Sequence, residues 1–418
     1  MRAAQTEKFA ALMRHVLDRS AFYQDKYRQF PWTSERPPDL EELVSLPFTT
    51  KAELVEDQRR QPPFGTVLTE PLERYTRVHR TSGTAGQPLN WLDTAASWQW
   101  LIDCWLEIYR AAGVGADDRI LVAFSFGPFM GFWAAFDAAC QLGALAIPGG
   151  GLSSRQRLDM LEELEVTVIA CTPTYALRLA GQASEEGRRL AEGPVRMLIH
   201  AGEPGASVAT IRSRIESAWG ARCVDHAGAT EVGAWGYGCG HEDHLHIIEA
   251  EFIAEVIDAD SSEPAAESAE GVEAGELVMT SLGRLGSPLV RYRTGDLVEL
   301  SRLPCGCGRQ TAYLRGGVLG RIDNMLIVRG VNIFPSAVEG IIREFAEIDE
   351  FEVRLESKRA MGELVILVEV IGGDPARVGD DLCERIHDKL MLRPKVEVVE
   401  RGTLPRYELK ARRFKLQS

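Results

Sequence analysis

The chain has 418 residues, 45% of them hydrophobic and 26% charged, with 39 glycines and 20 prolines. That length exceeds one ordinary core, and the composition excludes disorder, collagen-like repeats and a solenoid, so a large domain with a smaller partner is expected. Sixty-one Asp and Glu against 47 Lys and Arg give a formal net charge of −14, which argues against nucleic acid and anionic membrane as partners.

The first residues, MRAAQTEKFAALMRHVLDRS, read as a charged amphipathic helix of the fold and not as a signal peptide. The most apolar stretch, 122–136, carries Gly and Pro and ends at Asp137, short of the roughly 18 to 20 residues a membrane helix needs. Eight cysteines are too sparse for a disulfide scaffold, so a reducing, cytoplasmic setting is expected. Cys104, Cys140, Cys171, Cys223 and Cys383 lie in apolar runs and are expected as core thiols.

In chain order, the first 70 residues read as mostly helical, and Leu46-Pro-Phe-Thr-Thr-Lys-Ala-Glu53 suits a turn feeding a helix amino terminus. From about 75 to 235, apolar runs such as Arg119-Ile-Leu-Val-Ala-Phe124, Val166-Thr-Val-Ile-Ala-Cys171 and Arg196-Met-Leu-Ile-His-Ala201 alternate with amphipathic stretches. This βαβ rhythm predicts an α/β domain of layered mixed or parallel sheets and helices. Residues 245–320 change to short strand-like runs between Gly, Pro and acidic loops, expected as a small antiparallel, barrel-like subdomain. The tail from 321 to 418 reads strand, helix, strand, strand, helix, strand, a small α+β lobe. The expected division is therefore 1–320 and 321–418.

The densest motif is Thr81-Ser-Gly-Thr-Ala-Gly-Gln-Pro88. Glycines let a backbone approach a polyanion while amides and hydroxyls donate to it, so Thr81, Ser82, Gly83, Thr84 and Gly86 suit a phosphate cradle; a polar loop is the plain alternative. Asp296, behind a glycine, can accept both hydroxyls of a ribose or simply cap a turn. Thr230 and Glu231 offer hard oxygen ligands for Mg²⁺, at what also reads as a helix start. Lys410 lies in a basic tail whose default reading is a solvated face. Cys239-Gly-His-Glu-Asp-His-Leu-His246 and Pro304-Cys-Gly-Cys-Gly308 concentrate thiols and imidazoles of the kind a tetrahedral Zn²⁺ site uses.

Thr81 to Pro88 resembles the phosphate loop of the adenylate-forming (acyl-CoA synthetase) superfamily, and Leu46 to Glu53 with Val78 to Gly83 resembles its phenylacetate-CoA ligase branch. Further motifs follow in the family's order: Gly202-Glu203-Pro204 and Asp225-His-Ala-Gly-Ala-Thr-Glu231, then Arg291-Tyr-Arg-Thr-Gly-Asp296, then Gly320-Arg-Ile-Asp323 with Val328 to Pro335, and Gly402 to Lys410. The resemblance implies an ATP-dependent, AMP-forming ligase that adenylates an aromatic carboxylic acid and transfers the acyl group to coenzyme A. Transfer to a carrier-protein phosphopantetheine thiol is the rival acceptor, and a non-catalytic nucleotide-binding relative the rival class.

It further implies ATP contacts from Gly202, Glu203, Pro204, Asp225, His226, Ala227, Asp296 and Arg321, and catalysis by Lys410 with Thr230 and Glu231, the latter holding Mg²⁺. An acid pocket of Phe124, Phe126, Gly127, Ala201 and Gly228 is implied, although an aromatic stripe is equally at home in a core. Asp323 is the implied hinge, Arg329, Gly330 and Val331 the coenzyme A contacts, and a homodimer the implied assembly. For zinc, Cys239, His241, Cys305 and Cys307 are the expected ligands, with His244 as substitute and His246 as a structural strand residue. Gln87, Ala227 and Leu409 depart from the family's usual lysine, tyrosine and glycine.

Overall fold

Apolar residues at helical spacing turn the first residues into helix α1 (Arg2–Arg19), which buries Phe9, Leu12, Met13 and Val16. The structure, a computed structural model, describes residues 2–81, 88–124, 126–322, 326–328, 331–333, 335–358, 361–407 and 413–416. Helices α2 (Ala21–Tyr27) and α3 (Lys51–Arg60) follow, then hairpin β1 (Tyr75–Arg80) and β2 (Asn90–Thr94). Next come α4 (Ala95–Ala111), β3 (Arg119–Val122), α5 (Met130–Leu142), β4 (Leu145–Pro148), α6 (Ser154–Glu163), β5 (Val168–Cys171), α7 (Pro173–Glu185), β6 (Met197–His200), α8 (Ala209–Trp219) and β7 (Arg222–Ala229). Strands β8 (Gly233–Gly238), β9 (His244–Ile247), β10 (Phe252–Ile257), β11 (Val272–Ser281), β12 (Tyr292–Ser301) and β13 (Tyr313–Arg321) complete the large unit.

These strands form one eleven-stranded sheet in the order β10-β11-β12-β13-β9-β8-β7-β6-β5-β3-β4. Its β7-β6-β5-β3-β4 half is parallel, and everything from β8 onward pairs antiparallel. The antiparallel strands of 245–320 thus continue the main sheet. Strands β5 and β6 are buried at every position, the signature of a parallel sheet covered on both faces. One face packs against α1, α4 and α5 through Trp105, Tyr109 and Ala134, the other against α6 to α8 through Leu158, Leu179 and Trp219. The carboxyl ends of the parallel strands open into residues 123–124, 126–129, 172, 201–205 and 226–231, where ligands of open α/β sheets bind.

The remaining lobe holds β14 (Leu326–Val328), β15 (Val331–Ile333), α9 (Pro335–Ile342), β16 (Ile348–Lys358), β17 (Met361–Val370), α10 (Pro375–Leu390), β18 (Lys395–Val399) and β19 (Phe414–Leu416). Its four-stranded sheet, β18-β17-β16-β19, carries a core of its own around Val338, Phe351, Ile366, Leu382 and Ile386. Among the described residues, no helix is long and apolar enough to cross a membrane. Cys104, Cys171 and Cys223 are buried as expected and Cys383 half-buried. Cys140 is exposed, because α5 turns Ala138 and Ala139 inward and leaves the next position facing out.

Candidate active site

The phosphate-loop motif is the connection of the β1–β2 hairpin. Thr81 closes its neck: its N–H donates to Leu89 O at 3.0 Å and its hydroxyl accepts from Leu89 N at 3.0 Å. Ser82, Gly83, Thr84 and Gly86 lie outside the described residues, as do Asp323, Arg329, Gly330 and Lys410; Val331 is placed on β15.

Thr230 and Glu231 form the turn between β7 and β8, with Glu231 6% exposed. Two devices hold this turn. One is Arg284, whose guanidinium is fully buried and bonds Asp93 on β2 through Nε at 2.8 Å and Nη2 at 2.7 Å. Its Nη1 donates to the carbonyls of Thr230 at 2.6 Å and Glu231 at 3.1 Å. A planar fork can serve a carboxylate and two carbonyls at once, which an ammonium cannot. The other is Lys51, whose Nζ lies 3.2 Å from Glu231 Oε1. Lys51 is delivered by the Leu46 to Glu53 phrase: Thr50 and Glu53 form a reciprocal capping box that starts α3. Thr49 is stitched into the ribose motif, donating N–H to Arg291 O at 2.9 Å and accepting from Arg293 N at 3.0 Å. Arg291 itself is buried, bonds Glu255, and donates to the carbonyls of Val44 and Leu46.

Asp296 and Arg321 face each other across β12 and β13, with Arg321 Nη1 2.9 Å from Asp296 Oδ1. Asp225 organises its neighbours: its carboxylate accepts from the N–H groups of Gly205, Ala206 and Ser207 at 3.1, 2.7 and 2.8 Å, and from the Ser207 hydroxyl. Glu203 accepts from Thr174 N at 3.0 Å, in the first turn of α7, with Pro204 beside it in the cleft facing Glu339 and Arg343 of the lobe. Gly202 is exposed and Ala201 half-buried at the end of β6. Phe124 is buried and stacked on Phe132; half-buried Phe126 meets Trp133 and Phe136 edge-on, and Trp133 Nε1 donates to Gly127 O at 3.0 Å. Ala227 is half-buried and Gly228 exposed, while His226 is buried with its Nδ1 3.0 Å from Gly236 O. The lobe reaches this region through Arg413, which bonds Glu350 and Glu339 within the lobe and Thr174 of the large unit at 3.2 Å.

The thiol cluster corrects one expectation. Cys239, Cys305 and Cys307 converge with His246, and their ligand atoms all lie within 4.8 Å of one another. His241 is exposed beside Glu242. His244 contacts Cys305 through Nδ1 at 3.4 Å but stands outside the four. The reason is register: β9 pairs with β13, setting His246 opposite Tyr313 and its Nε2 3.4 Å from Cys307 Sγ. Thr311 holds the other ring nitrogen at 2.9 Å, fixing the imidazole's orientation. Three thiols and one imidazole fit a closed tetrahedral Zn²⁺ site.

Lys51, Asp93 and Arg284 were not singled out by the motifs, and His246 was expected only as a structural strand residue. Lys51 had a signal, its place in the Leu46 to Glu53 phrase; Asp93 and Arg284 are 191 residues apart and had none.

A family model described as AMP-binding enzyme matches residues 43–283, and one described as AMP-binding enzyme C-terminal domain matches 330–415. The phenylacetate-coenzyme A ligase of Thermus thermophilus is 31% identical over 98% of this chain and 94% of its own. That of Escherichia coli is 31% identical over 98% and 93%. The crystal structure of 2-hydroxyisobutyryl-CoA ligase in its postadenylation state with 2-HIB-AMP is similar with a TM-score of 0.91 at 27% identity, covering 99% of this chain and 89% of that one. The same ligase with 2-HIB-AMP and CoA in the thioesterification state scores 0.73 at 28% identity over the same shares.

Proposed function

The chain belongs to the AMP-binding enzyme family as an AMP-forming acid–coenzyme A ligase, and from that premise we propose that its acid is aromatic and that the residues above divide the work of two half-reactions. The observation that carries this reading is the held turn at Thr230 and Glu231, a hydroxyl and a buried carboxylate beside a lysine, set at the carboxyl ends of the parallel strands next to the phosphate-loop hairpin. The oxygens of Thr230 and Glu231 suit Mg²⁺, which when bound would neutralise triphosphate charge. Asp296 faces the ribose, and Phe126 with Gly127 borders the ring of the acid.

A carboxylate resists nucleophiles because its oxygen leaves poorly. Its attack on the α-phosphorus of ATP expels pyrophosphate and gives an acyl-adenylate; the thiol then displaces AMP, splitting one hard step into two. Lys410 supplies its ammonium to the first half, and Arg413, three residues on, already bridges lobe and large unit. The higher similarity to the postadenylation form than to the thioesterification form supports a lobe arrangement on the adenylation side of the cycle. Rotation of 321–418 about Asp323 against 1–320 would then remove Lys410 and bring Arg329, Gly330 and Val331 to the thiol. Cys239, His246, Cys305 and Cys307 would hold Zn²⁺ as a four-ligand set that staples the loops beside the β9–β13 pair, a structural role and not a catalytic one.

The test is acid-dependent release of AMP and pyrophosphate from ATP, with and without coenzyme A, across benzoates, hydroxy- and aminobenzoates, phenylacetates and indole acids. Turnover requiring both an aromatic acid and coenzyme A is the expected result. Pyrophosphate exchange without transfer to coenzyme A would move the acceptor to a carrier-protein thiol, and activity confined to aliphatic acids would refute the aromatic assignment.

A further inference from the structure

Within the Asp225 to Glu231 segment, His226 has chemistry that nucleotide binding does not use. On β7, Val224 and His226 face α4, and Asp225 turns to the other face, where it bonds Gly205, Ala206 and Ser207. The His226 ring packs 4.4 Å from the Trp105 ring and is 8% exposed. Its Nδ1 lies 3.0 Å from Gly236 O. A carbonyl only accepts, so Nδ1 carries the hydrogen and Nε2 presents a lone pair. Burial lowers the ring's pKa to about 4, which keeps it neutral and Nε2 an acceptor at physiological pH.

That lone pair looks toward the crevice. A Cβ built on Gly228 would stand 3.1 Å from Nε2, and Gly228 is exposed at the end of β7. No donor among the described residues reaches Nε2. Strand β6 presents the contrasting case: the His200 Nε2 is equally unpartnered, but His200 is wholly enclosed and faces no opening. The His226 Nε2 is not enclosed in this way, and an unpartnered acceptor that keeps access beside an open glycine at the carboxyl end of a parallel strand is placed for a ligand.

We propose that Nε2 of His226 accepts a hydrogen bond from the acid substrate, so that the preferred acid carries a donor, a hydroxyl or an N–H, on the part of the molecule remote from its carboxylate. The inference rests on the ligase reading and narrows its substrate class to hydroxy-, amino- or indole-type acids. The donor's position on the ring is set by the distance from Nε2 to the carboxylate seat, so one positional isomer is favoured over its siblings. An acid with a methyl group at that position leaves the lone pair facing carbon and is rejected, as sites built around a substrate hydroxyl reject the analogue lacking it.

The experiment compares kcat/KM for matched pairs, each hydroxy or amino acid against its methyl or unsubstituted analogue, with saturating ATP and coenzyme A. Wild-type protein is expected to prefer one donor isomer by about tenfold or more. In His226→Leu the ratio collapses toward unity, through loss of the donor acid and gain of the apolar one, while pyrophosphate exchange with the apolar acid reports a folded site. The wild-type ratio needs no variant: equal use of donor and apolar acids overturns the proposal. So does a ratio that His226→Leu leaves unmoved, or a variant whose only change is a raised KM for ATP, which would give the lone pair to the adenine amino group. Silence of the wild type with every acid overturns the ligase reading itself, and is distinguishable from those outcomes.

Discussion

Arg284→Lys tests whether the buried fork positions the Thr230–Glu231 turn or merely fills the core. Arg284 makes two bonds to Asp93, two to the carbonyls of Thr230 and Glu231, and a weaker one to Met130 Sδ. Lysine keeps the charge but ends in a compact ammonium on a different stem, and it cannot span both partners. Losing two charge-assisted bonds at about 1.5 kcal/mol or more each gives a cost on the order of 3–5 kcal/mol. At roughly 2 °C per kcal/mol for a large domain, the melting temperature falls by about 6–10 °C. Asp93→Asn provides the control, because it strips charge from the pair, with a destabilisation of similar order, and leaves Arg284 to hold the two carbonyls. Acid-dependent pyrophosphate exchange, run well below both melting temperatures, should then show a KM for Mg-ATP raised about tenfold or more in Arg284→Lys and much less in Asp93→Asn, with the KM for acid unmoved. Equal effects of the two variants on ATP, at matched stability, would show that the pair only fills the core.

Lys51→Ala should weaken Mg-ATP use and leave thiol transfer from supplied acyl-adenylate intact, read by the two half-reactions separately; unaltered pyrophosphate exchange would detach Lys51 from the site. Lys410→Ala should abolish adenylation while supplied acyl-adenylate still reaches coenzyme A, and equal loss of both halves would sink the hinge. His246→Ala should lower zinc content and melting temperature by metal analysis and calorimetry, and His241→Ala neither; the reverse ranking would restore His241 as ligand. Burial holds His79 and His226 each at a pKa of about 4. On acidification the unfolded chain takes up those protons first, so stability is whole above about pH 6.5 and declines down to about pH 4, by on the order of 3 kcal/mol per histidine. Melting curves from pH 7 to 4.5 should show that decline, shallower in His226→Leu; a flat profile would refute it.

The layered fold and the small terminal lobe were legible because period and punctuation are local properties. Continuous apolar runs such as those of β5 and β6 announce strands covered on both faces, and the 46–53 phrase carries its own capping box. The motif order likewise names Thr81, Thr230, Glu231 and Asp296 as the expected lining of one site. Less legible was the continuation of the antiparallel strands into the main sheet, since pairing of β7 with β8 and β9 with β13 depends on register between segments far apart in sequence. The difference between the expected and observed thiol cluster has the same origin: spacing favoured His241 on its turn, whereas strand pairing carries His246 to the cysteines.

The residues that hold the site escape a sequence reading for a physical reason. A group that touches ligand sits in a short motif, because loops bring neighbouring residues to one point. A group that holds a backbone turn needs only to be fully buried and correctly paired, and its partner can come from anywhere in the chain. Arg284 illustrates this: its worth lies in Asp93 on the phosphate-loop hairpin and in two carbonyls on the β7–β8 turn, so one guanidinium ties the loop expected to cradle phosphates to the residues expected to hold the metal. Arg291 does the same between the ribose strand and the segment that delivers Lys51. Both arginines are nearly or wholly buried, where an unpaired charge is expensive, so displacing any one of these segments exposes a cost in the others. Geometry at the crevice is thereby made cooperative, and departures such as Gln87 and Ala227 fall on residues expected to contact ligand, while the buried pairs that would position the catalytic groups stand complete.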